Sequence, residues 1–242
     1  MRSKRQVHVR YEGRDRQALA LMMALAVLYA SESSSQVIDA EPPAQTTCTE
    51  TLQARHSDAA EARTLDETGG RVVREGCTLR FRTPGGEHAL TSNLSEDAEH
   101  LGYVYRGVLP HEYDLVEVRY YERRQYLIID RTGRHQRHLV GEPVVSPDQR
   151  RVVATSLDLV AGIRPNALEI WRLEDQFAPQ LELSIRSDDW GPSDATWIDA
   201  ATIAFTQSFE PFGDRKETAR LRFTPSGWLF EPGVASGPVG GR

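Results

Sequence analysis

His135 and His138, three residues apart, raise the question of a metal site. They fall in His135-Gln136-Arg137-His138-Leu139-Val140, which reads as a strand, and in a strand that spacing points the two rings to opposite faces. No carboxylate or thiolate stands nearby at metal-site spacing. We expect no metal here and no cofactor elsewhere. His111-Glu112 sits in a proline-led turn without a second histidine four residues on, so the zinc-protease pattern fails. His88 and His100 read as solvated. The best organised polar cluster is Ser187-Asp188-Asp189-Trp190-Gly191-Pro192-Ser193. Its Asp and Ser side chains suit a turn, where they satisfy backbone amides. The functional alternative makes Asp188, Asp189 and Trp190 part of a ligand-facing loop. Neighbouring carboxylates diverge on a strand, so Asp188 and Asp189 do not form an acid/base pair by themselves. Neither a Gly-x-Ser-x-Gly elbow nor a phosphate loop nor a dinucleotide fingerprint occurs, and we do not expect an enzyme.

A second candidate is the stretch Asp158-Leu159-Val160-Ala161-Gly162-Ile163-Arg164-Pro165-Asn166, long for a hairpin connection. Long, partly apolar loops on rigid β scaffolds commonly form contact surfaces, which makes Arg164 and Asn166 candidate partner-binding residues. The same loop could instead pack over a sheet edge. Tyr120-Tyr121 sends one ring to each face of its strand. Trp171, Trp197 and Trp228 read as gap fillers between packed sheets.

The elements that must hold these loops are strands. After Gly70, short runs of β-branched and aromatic residues alternate with turn residues. Arg71–Arg74, Thr78–Arg82, Tyr103–Tyr105, Leu115–Tyr120, Tyr126–Asp130 and His135–Val140 predict a meander. The pattern then recurs: Val144-Val145, Val152–Ala154, Leu168–Leu173 and Leu181–Ile185, followed about fifty residues on by Thr196–Ile198, Thr202–Phe205, Ala219–Phe223 and Trp228–Phe230. Four strands per period near fifty is the mark of a blade repeat.

Ser146-Pro147-Asp148, with Arg150 and Arg151 before an apolar strand and Ile170-Trp171-Arg172-Leu173 in the next, resembles the TolB-like and WD-repeat β-propeller families across roughly Leu115 to Phe230. In those families Gly stands where this chain has Gln149. The position is left-handed, and a side chain there costs roughly 1 kcal/mol. The Ser187–Ser193 cluster resembles the Asp-box turn of sialidase-type propellers, with Asp194 in place of the aromatic residue. The resemblance implies an all-β fold of antiparallel four-stranded blades, a small or incomplete propeller, with a β-sandwich as the alternative. Pairing across a dimer would cover open edges. It further implies a face of loops that meets a protein or peptide, while Ser146, Pro147 and Asp148 serve as a structural turn.

The N-terminus adds a location. Arg2, Lys4, Arg5, Arg10, Arg14 and Arg16 precede the apolar run Ala18–Ala30, which is shorter than the roughly 20 residues of a membrane-spanning helix but suits a signal segment. We therefore expect residues 1–33 to be a signal peptide and 34–70 a flexible leader with a short helix within Thr49–Asp66. Residues 71–232 would form the β domain and 233–242 a disordered tail. No stable membrane span would remain after cleavage. Cys48 and Cys77 would pair as a disulfide in the oxidising compartment, periplasmic or secreted. A net charge of -6 over 242 residues argues against nucleic acid as partner. The resulting expectation is an exported binding or scaffold protein of the bacterial cell envelope. A secreted hydrolase acting on glycan or peptide, or a secreted enzyme inhibitor, remains as the alternative.

Overall fold

The computed structural model describes residues 8–10, 59–95, 99–174, 178–210 and 215–235. A short strand, β1 (His8–Arg10), and one helix, α1 (Ala59–Asp66), precede four antiparallel meanders laid down in chain order. The first sheet holds β2 (Val72–Glu75), β3 (Thr78–Thr83) and β4 (Gly86–Thr91). The second holds β5 (Leu101–Leu109), β6 (Tyr113–Tyr120), β7 (Arg124–Ile129) and β8 (Gln136–Leu139). The third holds β9 (Pro143–Val145), β10 (Arg151–Ser156), β11 (Ala167–Arg172) and β12 (Gln180–Arg186). The fourth holds β13 (Gly191–Asp199), β14 (Thr202–Ser208), β15 (Lys216–Thr224) and β16 (Gly227–Ala235). The all-β expectation and the short helix ahead of the strands are therefore both present.

Side-chain alternation decides how the sheets pack. Along β6, Val116 and Val118 point to one face and meet Val72, Leu79, Phe81 and Leu90 of the first sheet. Ile128 and Leu139 point to the other face and meet Val152, Ala154 and Trp171 of the third. Val153, Leu168, Ile170, Leu183 and Ile185 then bury against Ile203, Phe205, Ala219 and Leu221 of the fourth. Each inner sheet is thus apolar on both faces. The outer faces of the two terminal sheets are charged instead. On the first, Arg80 bridges Glu75, at 2.6 Å, and Glu87; on the fourth, Arg222 meets Glu231 at 2.7 Å. None of the three core clusters joins the first sheet to the fourth. The described residues form an open stack whose ends suit water.

Polar ties cross the same sheet boundaries as the core clusters. Arg71, just before β2, grips the buried Asp114 of β6 through two bonds of 2.6 and 2.7 Å, and the Tyr105 hydroxyl donates to the same carboxylate at 2.8 Å. Glu61 of α1 accepts from Arg74 and from the Tyr105 amide. Trp228 donates to Glu182 at 3.0 Å across the third and fourth sheets, and Arg151 donates to the same carboxylate oxygen at 2.8 Å.

The Ser-Pro-Asp turn connects β9 to β10. The Ser146 hydroxyl donates to Asp148 at 2.6 Å and accepts from the Arg151 amide at 2.9 Å, while Asp148 accepts the Arg150 amide. Gln149 does adopt the left-handed conformation, with φ +60. The turn keeps the geometry that glycine would supply and bears the strain of a side chain.

Three local expectations change. Gly86–Thr91 forms a full strand, β4, although its Glu-His-Ala sequence carries little β signal; pairing with β3 along its whole length supplies what propensity lacks. His135 lies in the turn before β8, where its ring and amide bond to Asp130, so it does not share a strand with His138. His88 is half-buried against Phe81, with its ring 2.9 Å from the Gln136 amide nitrogen, and burial lowers its pKa. Cys77 lies in the β2–β3 turn; Cys48, its expected partner, and the apolar run 18–30 lie outside the described residues. Among the described residues no helix is long and apolar enough to cross a membrane.

Candidate functional site: an arginine-lined cavity at the loop end

Strand register gathers a definite set of connections at one end of the stack. Leu101 opens β5 opposite Tyr120, which closes β6, so the β6–β7 turn Tyr121–Arg123 and the start of β5 share that end. Ser156 pairs with Ala167 across the β10–β11 loop, and Ala167 pairs with Arg186, which leads into the β12–β13 loop. The Ser-Pro-Asp turn lies at the opposite end, where β10 begins.

The β10–β11 loop is built around one carboxylate. Asp158 accepts the backbone amides of Ala161, Gly162, Ile163 and Arg164 at 2.8 to 3.2 Å. Bonding to the Arg164 amide above all holds its pKa below the ordinary carboxylate value. Gly162 takes φ +65, the conformation that lets the chain fold back over Asp158. Asn166 turns inward: its side-chain oxygen accepts the Asp158 amide at 2.7 Å, and its carbonyl accepts the Ser187 amide. A side chain at Gly191 would stand 2.2 Å from Leu157 and 2.7 Å from the Asn166 side chain, so the neighbouring loops touch. Asn166 is thereby a bracing residue of the loop end. Val160, 66% exposed, and Ile163 remain outside.

The cavity next to this loop has a volume of about 470 Å³ and is lined by His100, Arg119, Tyr120, Tyr121, Arg123, Arg124, Arg164 and one carboxylate, Glu122. Its electrostatics are unbalanced. Arg119 and Arg124 face each other directly across β6 and β7, a like-charge pairing that destabilises a sheet unless something neutralises it. Beneath them Glu117 is fully buried and accepts from Arg119 at 2.7 Å and from Arg106 at 2.7 Å, with Arg124 3.6 Å away. Burial raises the pKa of Glu117, but the bonds from Arg119 and Arg106 outweigh it and leave the value lowered. One carboxylate thus serves three guanidiniums. Nη1 of Arg119 is buried and has no hydrogen-bond partner among the described residues. Arg123 lies over the Tyr120 ring at 4.3 Å, and Arg164 reaches only the Leu157 carbonyl at 3.2 Å.

The sequence-derived candidates separate in this setting. Arg164 lines the cavity. Asp188 and Asp189 are exposed in the adjacent β12–β13 loop, with the Asp189 amide bonded to Ser187. Trp190 does not face solvent: it is 4% exposed and its ring stacks on Phe205 and Phe230, both at 6.1 Å. Aromatic stacking in the core between the third and fourth sheets explains its place. The expected position of an Asp-box aromatic is taken by Asp194, which adopts φ +53 beside a β-bulge. The β6–β7 arginines went unmarked in the sequence; the run Arg119-Tyr120-Tyr121-Glu122-Arg123-Arg124 was the available signal.

Glu117 gives this site a pH signature. A carboxylate with a lowered folded pKa contributes stability that is complete above its unfolded pKa and lost as pH falls through the folded one. Asp130 and Asp148 shift the same way: burial pushes each upward, but hydrogen bonds, from His135 and from Ser146 respectively, prevail. Glu169, which burial raises despite a bond from Trp171, works in the opposite sense. We expect urea midpoints to fall in two stages as pH drops: gradually below about 6.5, where His88 and His138, both lowered by burial, protonate more readily in the unfolded chain, and more steeply below about 4, the ordinary carboxylate range. Glu117→Gln is expected to flatten the steeper stage.

The chain matches no family model, and no curated protein or solved structure matches it either.

Proposed function

We propose that this protein is an exported binding or scaffold module of the bacterial cell envelope, a propeller-like stack of four blades that contacts a protein or peptide partner through its loop end. The observation that carries this reading is the arginine-lined cavity of about 470 Å³, whose lining includes exposed Tyr121 and Arg164, the latter from the loop that exposes Val160 and Ile163. A rigid scaffold that presents a concave cationic site flanked by apolar side chains suits recognition of another chain. The opposite end carries the Ser146, Pro147 and Asp148 turn, whose polar groups are spent on each other. Export rests on the basic and apolar N-terminus and on an expected Cys48–Cys77 disulfide. Removal of residues 1–33 would also remove β1, which pairs His8 with Arg186, Val9 with Ile185 and Arg10 with Ser184, and would free the β12 edge.

The test is affinity capture from a periplasmic extract with the mature chain and with a chain altered at Val160 and Ile163. Partners should be retained by the first and lost by the second. Identical partners on both would remove the loop end from the assignment, and a soluble cytosolic protein with Met1 intact would contradict export. A secreted inhibitor is the second reading, favoured by the way Asp158 stiffens one projecting loop; a captured enzyme whose activity falls on binding would select it.

A further inference from the structure

We infer that the cavity is a carboxylate-binding site, and that its occupant is an acidic peptide segment with an apolar residue next to the acid. The inference rests on the loop-end reading above and adds the partner's chemistry. Charge is the first reason. In a chain of net charge -6, four arginines line this cavity against Glu122 alone. Guanidiniums present a planar fork that matches a carboxylate in two parallel hydrogen bonds. Arg119 uses its Nε and Nη2 on Glu117, which fixes the guanidinium in the cavity wall, where its positive charge faces any occupant. Arg123, held against the Tyr120 ring, and Arg164, whose guanidinium donates to the Leu157 carbonyl, are likewise positioned before any ligand arrives. Little ordering remains to be done on binding, which favours affinity.

The second reason is the rim. Tyr121, 64% exposed, lines the cavity with the arginines, and Val160, 66% exposed, and Ile163, 42%, stand in the same loop as Arg164. A free inorganic anion would gain nothing from these side chains, whereas a peptide that sets a leucine beside a glutamate would bury them. The buried Glu117 also disfavours a dianion pressed deep into the site, because the two like charges would share the same arginines.

The test uses the full chain and fluorescent peptides of three kinds: Glu-Leu-Glu at the centre, Gln-Leu-Gln, and Glu-Gly-Glu. Binding should be tightest for Glu-Leu-Glu, weaker by roughly tenfold for each of the others, and reduced by added salt. Arg164→Glu and Arg123→Glu should each weaken it by roughly tenfold or more, in variants whose melting curves show that they remain folded at the assay temperature, since both side chains are half-buried. Arg150→Glu, at the opposite end, should leave binding intact. If Gln-Leu-Gln binds as tightly as Glu-Leu-Glu and still depends on the loop-end residues, the carboxylate inference is overturned and the loop-end reading stands. If only Arg150→Glu weakens binding, both fail. Competition by inorganic phosphate at the same concentration as the peptide would also overturn the inference in favour of a simple anion site.

Discussion

Replacing Trp190 by alanine is expected to destabilise the fold by about 3 to 5 kcal/mol, the range for removing a large aromatic side chain from a core. The reason is its surroundings. The ring lies parallel to Phe230, with an interplanar angle of 2°, and is stacked against Phe205, so truncation opens a void between the third and fourth sheets that neither phenylalanine can fill without leaving its strand. For a domain of this size each kcal/mol lowers Tm by about 2 to 4 °C, so the melting midpoint should fall by on the order of 10 °C. Trp190→Phe should recover much of that loss. A loop-facing Trp190 would give the opposite pattern, with Tm unchanged and only partner binding altered. Scanning calorimetry on the two variants separates these roles.

Asp114→Ala should be of similar size, about 3 to 5 kcal/mol, because it leaves a charged partner without its counter-ion at a largely buried site. Asp114 is 2% exposed and takes both nitrogens of Arg71 as well as the Tyr105 hydroxyl. Its hydrogen bond with Arg71 raises the guanidinium above its ordinary value, and burial, followed by the charge of Asp114, raises Tyr105. All three groups belong to the joint between the first and second sheets. Removing the carboxylate therefore strands a guanidinium and a buried hydroxyl at once. Adding Arg71→Met to Asp114→Ala should restore part of the loss, since the pair together costs less than its half. An additive double variant would contradict this account of the joint.

Most of the strands were legible in the sequence because their information is local. Val152-Val153-Ala154 and Leu115–Tyr120 alternate or cluster apolar side chains within a few residues, and register with a neighbour only confirms them. Gln149 was legible too, as a side chain at a left-handed position. Openness of the stack was not, since it depends on which faces end up outermost. Only after the sheets are placed do Arg80 and Arg222, with their glutamates, mark the two terminal faces as wet. Trp190 was misleading because its polar neighbours Asp188 and Asp189 suggested a solvated loop, while the start of β13 turns the ring inward.

The cavity could be read only in part. Arg164 stood out within a long loop, but its meaning comes from Arg119, Arg123 and Arg124, some forty residues earlier. Those side chains converge through the pairing of Arg119 with Arg124 and the packing of the second sheet on the third. Buried Glu117 is the least visible member, an acidic residue in the middle of a strand whose neighbours Val116 and Val118 face the other way. It accepts from Arg119 and Arg106, and Arg124 stands within 4 Å.

The most direct test of the account is hydrogen exchange on the protein with and without the captured partner. Amides of 120–124 and 157–166 should gain protection in the complex, while those of the turn at 146–151 should keep their free rates. Protection centred on the Ser-Pro-Asp turn, with the arginine-lined cavity unaffected, would contradict it.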